Sequence, residues 1–123
     1  SRFYDIKKLG LPIIKLKDLD YKPQDLIISK TNSRKDLITA TFKDLEKYVV
    51  LANYNKYTNT QILLEKPPKG IRHELRHGYT IYSCQGETAK NKLFIDVKNL
   101  KDIKTIYTAL SRAKYLSQIV FFD

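Results

Sequence analysis

Short apolar runs separated by polar punctuation set the rhythm of this chain. Leu26-Ile27-Ile28 is a β-branched run bounded by polar residues, which predicts a buried strand. Thr31-Asn32-Ser33 follows at once as a cluster of helix-capping residues, and Leu37, Ile38 and Thr41 then recur at helical spacing, so a strand-to-helix junction is expected. Leu93-Phe94-Ile95 predicts another strand. The helix after it carries Ile103, Ile106, Tyr107 and Leu110 on one face, and Ile119-Val120-Phe121-Phe122 ends the chain as a strand. Strands alternating with helices predict an α/β domain, a mostly parallel sheet flanked by helices.

Between these regular parts the pattern changes. Tyr48 to Ala52 and Gln61 to Leu64 are candidate strands joined by an asparagine-rich stretch, which predicts a small β-hairpin insertion over 48–65. Pro67-Pro68-Lys69-Gly70 punctuates the chain, and a polar strand or turn then enters a helix expected near Tyr79 to Cys84. Residues 1–24, interrupted by Pro12 and Pro23, read as a linker and lead-in strand ahead of one domain over 25–123. At 123 residues the chain can bury one core and is too short for two ordinary domains.

Charge narrows the partners. The formal net charge is +10, from 23 Lys and Arg against 13 Asp and Glu, which suits nucleic-acid binding but also fits many plain basic domains. The single cysteine, Cys84, excludes an internal disulfide and a cysteine-based metal cluster within the chain. No apolar run approaches the ~20 residues of a membrane helix, and Ser1 to Asp5 lack a signal-peptide core. A soluble intracellular protein with no membrane partner is expected.

The most informative residues are Gly78-Tyr79-Thr80-Ile81-Tyr82-Ser83-Cys84-Gln85-Gly86-Glu87-Thr88, followed after a strand and a helix by Tyr107-Thr108-Ala109-Leu110-Ser111-Arg112-Ala113-Lys114. In this order and spacing the pair resembles motifs V and VI of superfamily 1 helicases, especially the RecD-like and large-DNA-virus members. Upstream, Leu26 to Asn32 resembles the strand ending in Thr-Asn that opens the second RecA-like domain of that family, and the 48–65 hairpin resembles a small insertion that several members carry.

The resemblance implies a RecA-like fold and a role for each matching residue. Arg112 becomes the catalytic arginine finger: phosphoryl transfer spreads negative charge over the γ-phosphate oxygens, and a guanidinium inserted there is worth ~10³ to 10⁵ in turnover. Gln85, Gly86 and Thr88, with Arg112, are implied to face the nucleotide, Glu87 falling at a variable position. Thr31, Asn32 and Thr80 are implied to touch the nucleic-acid backbone, with Lys30, Arg34 and Lys35 adding positive charge. Many members have histidine at the place of Tyr82, so its groove role rests on chemistry: an aromatic there can stack on a base. Plain structural roles compete: a helix-terminal surface arginine, a glycine cap at Gly86, a core Tyr82 and a cap at Thr31.

A complete motor also needs a phosphate-cradling loop, G-x-x-x-x-G-K-[ST], and an acidic pair for Mg²⁺. Gly10, Gly70, Gly78 and Gly86 form no such loop, and no Asp-Glu pair occurs. The expectation is therefore an ATP-dependent motor whose ATP and Mg²⁺ are bound mainly by an upstream RecA-like domain of the same parent chain, the isolated domain lacking ATPase activity. Single-stranded nucleic acid is the expected partner, DNA by analogy with large-DNA-virus helicases. The same analogy suggests a viral replication protein of the host cytoplasm or nucleus.

Two other readings stay open at this stage. One is a non-catalytic single-strand-binding module that keeps the fold without the motor. The other is a metal-dependent nuclease, prompted by Asp96-Val97-Lys98 at a strand end with Glu87 as a second acid. No metal site is expected from His73 and His77, four apart without a third ligand and read as exposed basic-loop residues, and Cys84 has no His partner to activate it.

Overall fold

The computed structural model describes residues 3–45, 48–50, 63–64, 73–75, 77–83 and 88–123. Its centre is a five-stranded sheet in the order β1-β8-β7-β2-β6, formed by β1 (Ile13–Ile14), β2 (Leu26–Ser29), β6 (Gly78–Thr80), β7 (Leu93–Asp96) and β8 (Ile119–Phe122). Every pairing in it is parallel. Among the described residues, helix α1 (Asn32–Thr41) follows β2 and helix α2 (Ile103–Leu110) joins β7 to β8.

Strand alternation explains why the sheet is covered on both faces. Leu26 and Ile28 of β2, Leu93 and Ile95 of β7 and Phe121 of β8 share one core with Tyr79 and Ala109, against which Ile106 and Leu110 of α2 also pack. Their neighbours Ile27, Phe94 and Phe122 point the other way and pack with Ile38 of α1, Leu19 and Tyr21. Strands that carry apolar residues toward both faces are what a doubly covered parallel sheet requires. Gly78 lies where α1 crosses β6: an added Cβ would stand 3.0 Å from the Lys35 carbonyl oxygen and 3.1 Å from Ile38 Cβ.

The opening stretch is part of this structure. Its Ile6, Leu19 and Tyr21 are buried, and its lead-in strand β1 extends the sheet by pairing Ile13 with Phe121 and Ile14 with Phe122. The expected hairpin is present as β3 (Tyr48–Val50) and β4 (Leu63–Leu64), antiparallel with Tyr48 opposite Leu64. A third strand, β5 (His73–Leu75), pairs with the other side of β3.

Several expectations are corrected. The helix expected near Tyr79 to Cys84 is instead strand β6 running into a turn at Ile81 to Ser83. The Gly-Tyr-Thr segment gains a ladder along β2, and Tyr79 and Ile81 both enter the core, which outweighs the local helical pattern. On α2 the packed face is Thr105, Ile106, Ala109 and Leu110, whereas Ile103 and Tyr107 are exposed. Thr105 can be buried because Asp102 caps it. On α1 only Ile38 is buried, Leu37 and Thr41 facing outward. His77, just ahead of β6, is buried with its ring nitrogen 3.1 Å from the Tyr21 hydroxyl, so it is no exposed residue. Burial pushes the Tyr21 phenol far above its ordinary pKa, so it stays protonated.

Candidate functional site

Because the strands are parallel, β2, β6 and β7 all end at one edge of the sheet. Ser29 is level with Thr80 in the ladder, which brings the turn after β2 beside the turn after β6. Thr31 leaves β2 in an extended conformation and caps α1, its hydroxyl accepting the Arg34 N–H at 3.3 Å. Asn32 opens the helix and is exposed. Thr80 is half-buried at the end of β6, and two residues on, Tyr82 projects into solvent with 58% of its surface exposed. Thr31, Asn32, Thr80 and Tyr82 are thus gathered at the carboxyl edge, the usual ligand edge of open α/β sheets.

Tyr82 is neither a core tyrosine nor a residue of a helix. Its hydroxyl lies 3.1 Å from Thr105 Oγ1, and the Thr105 hydroxyl donates to Asp102 Oδ2 at 3.0 Å. The carboxylate can only accept, so Thr105 gives its proton to Asp102 and accepts from Tyr82. The Thr105 N–H also donates to Asp102. These hydrogen bonds, and Lys30 and Lys104 nearby, hold the Asp102 carboxyl below the usual range. The Lys30 ammonium stands 5.6 Å from the centroid of the Tyr82 ring, within cation–π reach. An anchored aromatic beside a lysine is a surface that can take a base and its phosphate.

Two positively charged neighbours differ in use. Lys30 stays at the edge, but Arg34 turns inward and binds Asp96 at both oxygens, at 2.6 and 3.1 Å. Asp96 is fully buried and also accepts the Lys98 N–H, and Arg34 is held more firmly protonated by the pair. Asp96 is therefore not a surface strand terminator. Asp96 thus spends three of its roughly four acceptor sites inside the fold, on Arg34 and on the Lys98 N–H, which counts against a metal-binding role for it. No group of three metal-binding side chains occurs among the described residues.

The opposite edge carries the other set. Helix α2 begins where β7 ends and runs back to the amino edge, where Ser111 caps it and Arg112 follows in a turn. The Arg112 N–H donates to Ala109 and its carbonyl accepts the Ala89 N–H at 2.7 Å. Thr88, exposed, is thereby held next to Arg112 in the segment that leads into β7. Arg112 itself is half-buried, and its Nε–H is buried without a hydrogen-bond partner among the described residues. A buried guanidinium N–H left open is chemically suited to an anion. Gln85 and Gly86, with Cys84 and Glu87, lie outside the described residues.

One polar residue was missed by sequence reasoning. Gln118 spends its side-chain amide on the segments flanking Arg112 and Thr88, bonding to Ala89, Asn91, Lys114 and Tyr115. Nothing in residue spacing marks it, because its partners at 89 and 91 are distant in sequence.

No protein-family model matches the chain, and no curated protein does. Among solved structures it is similar to unliganded Pif1 from Bacteroides sp, at a TM-score of 0.53 and 14% identity, over 89% of this chain. The chain spans about half of that one, 54% of its length. The likeness shows the RecA-like α/β fold. Among the described residues no helix is long and apolar enough to cross a membrane.

Proposed function

We propose that this chain is the second motor domain of a superfamily 1 helicase that moves along single-stranded DNA, of the RecD-like and large-DNA-virus type. The observation that carries the reading is the division of the matching residues between two edges of one sheet, with α2 spanning them. Its first turn anchors Tyr82 through Thr105, and the turn after its last residue carries Arg112. A motor needs such separation: one edge grips the strand, the other meets the nucleotide, and a rigid element lies between.

In this mechanism Thr31, Asn32 and Thr80 hold the strand's phosphates, Lys30 neutralises one of them, and Tyr82 stacks on a base. Arg112, with Thr88, Gln85 and Gly86, is assigned to the ATP side, and its guanidinium would neutralise the charge on the γ-phosphate oxygens as water attacks the phosphorus and the bond to the departing ADP breaks. The open Nε–H of Arg112 fits a phosphate oxygen. In this reading the upstream RecA-like domain of the parent chain holds Mg²⁺ and most of the nucleotide; Asp96, buried and bound by Arg34 at both oxygens, is given no part in it. A viral replication protein acting inside the host cell belongs to the same reading.

The test compares this chain alone with the longer protein that includes its upstream domain. The expected result is ATP turnover stimulated by single-stranded DNA in the longer protein and none in the chain alone. A longer protein that binds the strand but never hydrolyses ATP would favour a strand-binding module, the reading supported by the Lys30–Tyr82 surface by itself.

A further inference from the structure

We propose that Gln118 is the positioning residue for Arg112, an inference that rests on the motor reading above. The Gln118 carbonyl oxygen accepts the N–H groups of Lys114 and Tyr115 at 2.9 and 2.8 Å. Its amide nitrogen donates to the carbonyls of Ala89 and Asn91 at 3.0 and 2.5 Å. A primary amide has two acceptor sites and two donors, and here all four are used. The amide can sit only one way round, because a flipped group would set its N–H groups against two N–H donors and its oxygen against two carbonyls.

The consequence for Arg112 follows from the connections around it. The Ala89 N–H binds the Arg112 carbonyl, so Ala89 is tied on one side to Arg112 and on the other to Gln118. The turn carrying Arg112 is thus closed at two points, at its own carbonyl and at Lys114 and Tyr115 just beyond. Nothing among the described residues holds the Arg112 Nε–H. The backbone that bears the side chain sets where it starts from, and Gln118 ties that backbone on both sides. Arg112 acts on charge, while Gln118 never touches the nucleotide.

The substitutions to compare, in the longer protein with its upstream domain, are Gln118→Ala, Gln118→Glu, Arg112→Ala and the double Arg112→Ala/Gln118→Ala. Misplacing a catalytic group by about 1 Å costs on the order of 10²-fold, so Gln118→Ala is expected to lower kcat for ATP by ~10- to 100-fold with KM little changed. The double variant is expected to be no slower than Arg112→Ala alone, since Gln118 acts through Arg112. Gln118→Glu sets a carboxylate against two carbonyls at neutral pH, and protonation restores one donor, so its activity relative to wild type is expected to rise as pH falls. Amide exchange of the buried strands β2 and β7 confirms that each variant is folded, and exchange at Lys114 and Tyr115 reports the loosened turn in the Gln118 variants. The proposal is overturned, with the finger reading intact, if Arg112→Ala is slow but Gln118→Ala runs at the wild-type rate, or if the two losses multiply. An Arg112→Ala variant at the wild-type rate overturns the finger reading itself, and the proposal with it.

Discussion

The Ala89 N–H donates to the Arg112 carbonyl at 2.7 Å, closing the segment after the Gln-Gly-Glu-Thr motif onto the turn that carries the Ser-Arg-Ala motif. Two stretches that are separate in sequence thereby share one edge of the sheet. The hydrogen bond that joins them is a backbone one, and at position 89 a substitution to proline would remove its N–H donor. Between this edge and the strand edge runs α2, a short rod with Asp102 and Thr105 at its start.

The strand edge makes the first prediction. Tyr82→Ala is expected to weaken single-stranded DNA binding by the ~1 to 3 kcal/mol typical of one stacked base. Lys30→Ala is expected to flatten the dependence of log affinity on log salt by about 0.7, the value for one phosphate contact on a single strand. Titrations at several salt concentrations check both. Equal affinities for wild type and Tyr82→Ala would place the strand elsewhere.

Asp102 makes the anchoring of Tyr82 pH-dependent. Its folded pKa is lowered by the Thr105 hydrogen bonds first and by Lys30 and Lys104 after them. A carboxyl with a depressed folded pKa contributes stability that is present above its unfolded value and lost as pH falls through the folded one. The capped first turn of α2 should therefore hold above about pH 4 and loosen below it. The Thr105 amide resonance followed against pH reports this, and Asp102→Ala should show the loosened state at neutral pH. An unchanged Thr105 resonance in Asp102→Ala would contradict the capping role of Asp102.

Arg34 and Asp96 test which cations serve the fold. Removing one partner of a buried ion pair strands the other, at a cost of about 3 to 5 kcal/mol. Arg34→Ala is expected to lose stability of that order in urea unfolding because Asp96 is fully buried. The slope of strand affinity against salt should stay as in the wild type, since the Arg34 charge is already spent. A flattened slope with unchanged stability would return Arg34 to the strand.

Much of the fold was legible because it is written locally. The apolar runs at Leu26, Leu93 and Ile119 became the buried strands β2, β7 and β8, and Thr31 became the helix cap that its hydroxyl suggested. What failed to show depends on distant partners. Gly78-Tyr79-Thr80 became a strand because β2 offers it a parallel ladder, and no residue spacing reveals that neighbour. Asp96 drew attention as a possible metal acid because Arg34, its partner, is 62 positions away in sequence. The hydrogen bonds of Gln118 to residues 89 and 91 were hidden for the same reason. Asp102 is different: Asp three residues before Thr105, at the start of a helical run, is a local capping signal that could have been read.

The site residues divide along the same line. Thr31, Asn32, Thr80 and Tyr82 meet at one edge because β2 and β6 are neighbours with Ser29 and Thr80 in register. Sequence order alone gives no hint of that adjacency, since the 48–65 hairpin lies between them in the chain.

The most direct measurement of the central claim is strand-stimulated ATP turnover of the longer protein carrying Arg112→Ala, with strand affinity and folding measured alongside. The account predicts a loss of ~10³-fold or more in kcat, as for arginine fingers elsewhere, with strand affinity and unfolding midpoint close to wild type. Turnover within a few-fold of wild type would contradict it, and would leave Arg112 as a residue of the turn and nothing more.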